Sequence, residues 1–210
     1  MKRVGTNGTA DQKALQREQQ IYSKLQHLDD PAVLQIVAWE RDADSVAIVT
    51  EFADGGSLAA HVKAAGGALL VPIAKKIGLQ VLASLAALHA AGIVHRDLKP
   101  ENVVLVGDTW KLADFGIAKN LSRMVTQHTF AHHHTPGYAP PEQVEGAEAS
   151  AAADIYAFGK LLSFMLTGQT DPDRVVSSAC RLLARDCTRL EAAERLSTEE
   201  ARQRLSRIIA

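Results

Sequence analysis

Apolar residues recur every three or four positions in some stretches of this chain and run together in others, and that change of period marks its elements. Leu15, Tyr22 and Leu25 share one face at helical spacing, and Thr9 with Gln12 three residues later forms a capping box ahead of them. The pattern predicts a helix from Thr9 to about Leu28, ended by Asp29-Asp30-Pro31. Val33 to Trp39 and Ser45 to Phe52 read as two strands joined by a charged turn at Arg41-Asp42-Ala43-Asp44. After the loop Asp54-Gly55-Gly56, Ser57 caps a short helix. Val71-Pro72 opens a long helix to about Ala91, stopped by Gly92, whose Ile77, Val81, Leu85 and Leu88 face a core. Val103 to Val106 is β-like, and Gly107-Asp108 supplies a hairpin turn after it. Between Asp114 and Glu142 the periodicity is lost, and so long an irregular run is uncommon unless functional. A helix then begins at Asp154 and runs through Leu166 with Gly168 past its end. Ser197 with Glu200 opens a last one to Ile209.

Composition narrows the class without naming it. The 210 residues are 47% hydrophobic and 22% charged, enough for a sizeable core. A net charge of −1 offers no global field for nucleic acid or an anionic membrane. No apolar leader core follows Met1, so the expected location is cytoplasmic. The most apolar span, Ile77 to Val94, is interrupted by Gln80, Ser84 and His89 and is expected to be a buried helix rather than a membrane span. Cys180 and Cys187 are too few for a disulfide framework and read as reduced packing thiols. No internal repeat or low-complexity linker is visible.

Chemistry concentrates in His95-Arg96-Asp97-Leu98-Lys99-Pro100-Glu101-Asn102. An acid, a base and an amide there sit between two apolar segments, the signature of a functional loop on a rigid scaffold. Glu18 is a carboxylate in the apolar stripe of the first helix; it needs a partner, unless it is a surface residue beside Arg17. Gly5-Thr6-Asn7-Gly8 is turn chemistry, and its spacing is wrong for a phosphate loop. His132-His133-His134 with His128 is not expected to bind metal, because three consecutive histidines cannot all point at one ion. His89 is expected to pack or cap.

The loop His95–Asn102 resembles the protein-kinase catalytic loop H-R-D-L-x-x-x-N, and Asp114-Phe115-Gly116 resembles the family's metal-binding D-F-G. Thr135-Pro136-Gly137-Tyr138-Ala139-Pro140-Pro141-Glu142 resembles the end of the kinase activation segment, with Pro140 in place of the usual Ala and His134 where kinases carry Gly. The resemblance extends from Met1 to Arg195. It implies an α+β, bilobal fold: a small β-rich lobe with a helix and the hinge over residues 1–53, and a mainly helical lobe over 54–210.

By resemblance, Asp97 is the catalytic base and Lys99 neutralises the migrating phosphoryl group, while Asn102 and Asp114 hold Mg²⁺. Lys2, paired with Glu18, orients the phosphates of ATP. Thr50 is the gatekeeper beside adenine, Glu51, Phe52 and Ala53 form the hinge, and Val104 is the adenine floor. Phe115, His95, Tyr22 and Ile36 stack as an apolar spine. Arg96 suits recognition of a phosphorylated loop residue, with Ser122, Thr126 and Thr129 as candidates. Thr135 bonds near Asp97 and Lys99; Asp154 holds the catalytic-loop backbone; Arg195 pairs with Glu142. Lys99-Pro100-Glu101 resembles the serine/threonine subgroup, and Asp114-Phe115-Gly116-Ile117-Ala118-Lys119 is similar to bacterial kinases of eukaryotic type.

This chain opens at the lysine strand, where kinases have two earlier strands and a Gly-rich loop. Without that roof and lid, ATP is expected to bind weakly and a strand edge to be exposed. The stretch from Thr167 to Arg195 is shorter than the family's usual helices there, so docking surfaces are expected to be reduced. Two readings follow. One is a serine/threonine protein kinase acting on a protein substrate with ATP and Mg²⁺. The other is a non-catalytic kinase-like scaffold or nucleotide-binding module. Small-molecule phosphotransfer is disfavoured by the peptide-type segment from Thr135 to Glu142.

Overall fold

The computed structural model describes residues 2–5, 23–28, 30–41, 45–114, 137–147 and 150–209, with only the backbone for 2–5, 39, 41 and 45–48. Three antiparallel strands, β1 (Lys2–Gly5), β2 (Ile36–Arg41) and β3 (Ser45–Thr50), form a sheet in the order β1-β3-β2. Lys2 lies opposite Ile48, and Thr50 opposite Ile36. Strand β2 starts three residues later than the pattern of Val33 to Trp39 suggests. Val33 is instead a bridge partner of Leu112, and Leu34 donates to the Leu112 carbonyl at 3.2 Å. Those apolar residues pair with a different sheet, so their apolar run extends beyond their own strand. Strand β1 lies where the resemblance places the lysine strand.

The remainder is mostly helical: α1 (Leu58–Ala64), α2 (Val71–Ala90), α3 (Pro141–Val144), α4 (Ala151–Thr167), α5 (Ser178–Cys187) and α6 (Thr198–Arg207). A hairpin, β4 (Val103–Val106) with β5 (Thr109–Leu112), lies between α2 and α3 in sequence. Its turn puts Gly107 at φ 55°, a left-handed value that a first central residue of this kind of turn needs glycine to reach. Helix α2 is long and apolar enough to cross a membrane by length and composition alone. In this fold it is a core helix: Ile77, Val81, Leu82, Leu85 and Leu88 are buried against Phe158 and Leu161 of α4 and Leu205 of α6 in one cluster. Its polar residues are satisfied inside that core. The Ser84 hydroxyl donates to the Ala32 carbonyl, and Gln80 Oε1 accepts from Trp110 N–H.

Helix α4 begins at Ala151, one turn before Asp154, because Ser150 is already extended and Asp154 belongs to the first helical turn. The last helix has the predicted capping box: Ser197 Oγ accepts from Glu200 N–H, and Glu200 accepts from Ser197 N–H. Between α4 and α6 the described chain forms only a 3₁₀ turn at Pro172–Arg174, α5, and a second turn at Ala192–Glu194. Cys180 and Cys187 are free and buried, and burial pushes the Cys187 thiol up to about 12.

Candidate active site

The loop 95–102 follows α2 and hangs from a carboxylate beneath it. Asp154, 1% exposed, accepts from His95 N–H at 2.8 Å through Oδ2 and from Arg96 N–H at 2.9 Å through Oδ1. Two adjacent backbone donors on one ionised side chain fix the direction of the loop where no secondary structure does. Arg96 is thereby held at φ 70° and Asp114 sits at φ 55°. Left-handed backbone is stored strain at Arg96 and less so at Asp114, whose short polar side chain tolerates it, and such strain clusters at functional sites.

His95 links this loop to the segment carrying Asp114. Its ring is buried. Asp97 N–H donates to Nδ1 at 3.3 Å, so Nε2 carries the proton and donates to the Ala113 carbonyl at 3.1 Å. Burial holds His95 below the usual histidine range against the raising effects of Asp154 and Asp97, so the neutral ring with that tautomer is the bound form. Ala113 N–H donates to the Asn102 carbonyl at 2.8 Å. Asp114 is therefore placed from both ends of the 95–102 loop.

Within the loop, Lys99 Nζ lies 3.1 Å from Asp97 Oδ2. Asn102 Nδ2 donates to the Asp97 carbonyl at 2.8 Å and to Asp97 Oδ2 at 3.2 Å. Because the amide nitrogen is spent on Asp97, the Asn102 side-chain oxygen is the atom left for a cation. That oxygen and the carboxylate of Asp114 are both hard-oxygen donors of the type Mg²⁺ takes. The residues present fit the ion. No cluster of three or more His, Cys, Asp or Glu suited to a metal occurs among the described residues.

A second anchor lies beyond the loop. Arg195, with its side chain fully buried, makes a bidentate pair with Glu142 at 2.6 and 2.8 Å and donates to the carbonyls of Ala152, Arg189 and Leu190. Burial raises the Glu142 carboxyl, but the Arg195 hydrogen bonds outweigh it and hold it below its usual range. Gln143 Nε2 donates to the Arg96 carbonyl at 3.0 Å, so the 137–143 segment is tied to the loop directly. A water-sized cavity lined by Arg96, Asp97, Tyr138, Gln143 and Asp154 lies between them.

On the sheet side, Thr50 and Ala53 are half-buried and Phe52 is exposed. The Glu51 N–H is engaged with the Gln35 carbonyl at 3.0 Å. Its side chain accepts from Gln35 N–H at 2.8 Å and Lys111 Nζ at 2.6 Å. Val104 is half-buried, bridges to Ser57 and pairs with Lys111 across the hairpin. Gly55 donates to Leu105 O at 3.1 Å, and a Cβ there would lie 2.6 Å from the Leu105 side chain, so only glycine permits this approach.

Of the contacts expected from sequence, the structure brings together Asp154 with the loop backbone and Arg195 with Glu142; it also brings the separately singled-out Asp97, Lys99 and Asn102 into contact. Lys2 is placed by its backbone in β1. Glu18, Ser122, Thr126, Thr129, Thr135, the histidines 128 and 132–134, and the spine residues Tyr22 and Phe115 lie outside the described residues; His95 and Ile36 are buried. Three contacts escaped sequence reasoning: His89 with Asp154, Gln143 with Arg96, and Glu51 with Lys111. Each joins residues at least 47 positions apart, and no local spacing encodes such a pair.

The protein kinase domain family model matches residues 1–172. The chain belongs to the protein kinase family. It is 34% identical over 184 residues to a probable serine/threonine-protein kinase PknB of Lactococcus lactis, covering 86% of this chain and 29% of that protein. It is 35% identical over 175 residues to the serine/threonine-protein kinase PrkC of Bacillus subtilis, covering 81% and 26%. It is 36% identical over 161 residues to the serine/threonine-protein kinase pkn2 of Myxococcus xanthus, covering 73% and 19%. The chain thus spans less than a third of the length of these relatives, which are named as enzymes of the serine/threonine kinase type.

Proposed function

We propose that this chain is a serine/threonine protein kinase unit that transfers the γ-phosphoryl group of Mg-ATP to a protein hydroxyl. The observation that carries the reading is the Asp97 carboxylate, held by Lys99 and Asn102 in a loop suspended from Asp154. Phosphoryl transfer is chiefly positioning and charge stabilisation, and this arrangement supplies both. The substrate hydroxyl oxygen bonds to the γ-phosphorus, the bond from that phosphorus to the β–γ bridging oxygen breaks, and ADP leaves. Asp97 orients the hydroxyl and receives its proton. Lys99, within reach of the same carboxylate, balances charge on the transferred group. Asn102 and Asp114 would hold Mg²⁺, which supplies electrostatic stabilisation of the phosphate oxygens when bound.

In this reading residues 1–53 and 54–210 form two lobes with the nucleotide between them. Lys2 with Glu18 orients the phosphates; Thr50, Glu51 and Ala53 face adenine, and Val104 underlies it. Since Glu51 N–H is already bonded to Gln35, the adenine edge is left to the Glu51 carbonyl and to Ala53. Arg96 with a phosphorylated Thr126 or Thr129 would regulate the loop. We place the reaction in the cytoplasm, which supplies ATP and keeps Cys180 and Cys187 reduced.

The test is incubation with Mg-ATP and a Ser/Thr-containing protein substrate, followed by mass spectrometry of both proteins, with Asp114→Ala as control. Phosphate on hydroxyl side chains in the wild type only is the expected result. Binding of Mg-ATP with no transfer to any hydroxyl would make the chain a nucleotide-binding scaffold instead.

A further inference from the structure

We infer that Thr198, at the start of α6, is a positioning residue for the catalytic loop, acting through His89 and Asp154. The inference rests on the reading of residues 95–102 as that loop. The chain of contacts is short. Thr198 Oγ1 lies 2.9 Å from His89 Nδ1, and His89 Nε2 lies 2.8 Å from Asp154 Oδ2. That same Oδ2 accepts from His95 N–H at 2.8 Å, while Oδ1 accepts from Arg96 N–H at 2.9 Å.

Donor and acceptor chemistry makes the hydroxyl essential to this arrangement. An ionised carboxylate only accepts, so His89 must present Nε2–H to Asp154. Nδ1 is then an acceptor in the neutral ring or a donor in the charged one. A hydroxyl serves both cases, because it donates and accepts; a methyl group serves neither. With Asp154 only 1% exposed and the His89 side chain 13% exposed, water is a poor substitute for the lost partner. An imidazole released at Nδ1 is free to turn, and its turning would shift the oxygen that orients His95.

Helix α6 is suited to carry this contact. Neighbouring Ser197 is committed to the capping box with Glu200, which fixes the first turn and leaves Thr198 facing α2. At the other end, Lys75 Nζ donates to the Ile208 carbonyl at 2.7 Å, so α6 is fastened to α2 near both termini. Leu205 is fully buried between these fastenings.

The test compares Thr198→Val and Thr198→Ala with Thr198→Ser by residue-resolved amide exchange, and by steady-state phosphoryl transfer. Loss of one buried hydrogen bond is expected to speed exchange of the His95 and Arg96 amides about tenfold in both hydroxyl-free variants. The amides of α6 should keep their wild-type rates. The kcat should fall about fivefold with the KM for ATP unchanged, and Thr198→Ser should restore both quantities. Wild-type exchange at His95 and Arg96 in Thr198→Val and Thr198→Ala would overturn the inference. So would acceleration spread evenly along α2 and α6, the mark of a merely structural contact. If the wild type transfers no phosphate, the kinase reading falls by itself and the exchange rates still decide the role of Thr198.

Discussion

The loop His95–Asn102 and the stretch Thr50–Ala53 are anchored in opposite ways. The loop has no ladder of its own and is held by buried polar groups: the Asp154 carboxylate beneath it, the neutral His95 ring within it, and the Arg195–Glu142 pair behind it. The stretch continues from β3, is held by the backbone bond from Glu51 to Gln35, and adds one partly open ion pair, Glu51 with Lys111. The loop region carries two left-handed non-glycine residues, Arg96 and Asp114; the stretch Thr50–Ala53 carries none. A strained geometry persists only where its surroundings over-determine it. Buried charged hydrogen bonds can do that, since losing one leaves a partner without water. The Glu51–Lys111 pair is more open, its cation 13% exposed where the Arg195 side chain is fully buried, so solvent replaces more of it.

This contrast predicts where substitutions act. The largest effect should be on chemistry at the loop. Asp97→Asn keeps the shape but removes the proposed base, and phosphoryl transfer is expected to fall about a thousandfold while the melting temperature stays near that of the wild type. Equal turnover in the variant would remove Asp97 from that role. The largest effect on stability should come from Arg195→Met, which strands Glu142 and three carbonyls. Chemical denaturation should register a loss of about 3–5 kcal/mol. A loss under about 1 kcal/mol would mean that buried charge does not anchor this side.

Legibility in the sequence follows the same division. The motif residues of the loop are contiguous, so Asp97, Lys99 and Asn102 could be grouped before any geometry was known. Helix α2 was legible from the spacing of Ile77, Val81, Leu85 and Leu88, and the last helix from Ser197 and Glu200. The start of β2 was misplaced because Val33 and Leu34 spend their apolar and backbone groups on β5, a tertiary use that period alone does not reveal. His89 read as a residue that packs or caps; its partners Asp154 and Thr198 lie 65 and 109 positions away.

A smaller effect should appear with pH. His95 is neutral when folded because burial holds its pKa down, and it regains an ordinary value near 6.5 when unfolded. As pH falls below that value the unfolded chain takes up a proton that the folded chain refuses, so stability is lost on acidification. The loss from this one group cannot exceed about 1.4 kcal/mol per pH unit. Urea midpoints between pH 7.5 and 5.5 should decline more steeply for the wild type than for His95→Asn. Parallel lines would show that the neutral ring is no part of the anchoring.

The smallest effect is expected at the Glu51–Lys111 pair. Lys111 is 13% exposed and Glu51 25%, and the pair is joined by a single 2.6 Å contact. Burial raises the Glu51 carboxyl, but hydrogen bonds from Lys111 and the Gln35 N–H bring it below its usual range. Lys111→Met removes the cation and leaves the backbone bonds to Gln35 in place. The cost in stability should be about 1 kcal/mol or less, since solvent takes over the carboxylate. The Glu51 carboxyl should titrate at higher pH in the variant, which a carbon-detected NMR titration would read. A loss as large as that of Arg195→Met would mean that the stretch Thr50–Ala53 is fixed by charge as firmly as the loop, and the two sides would then share one mode of anchoring.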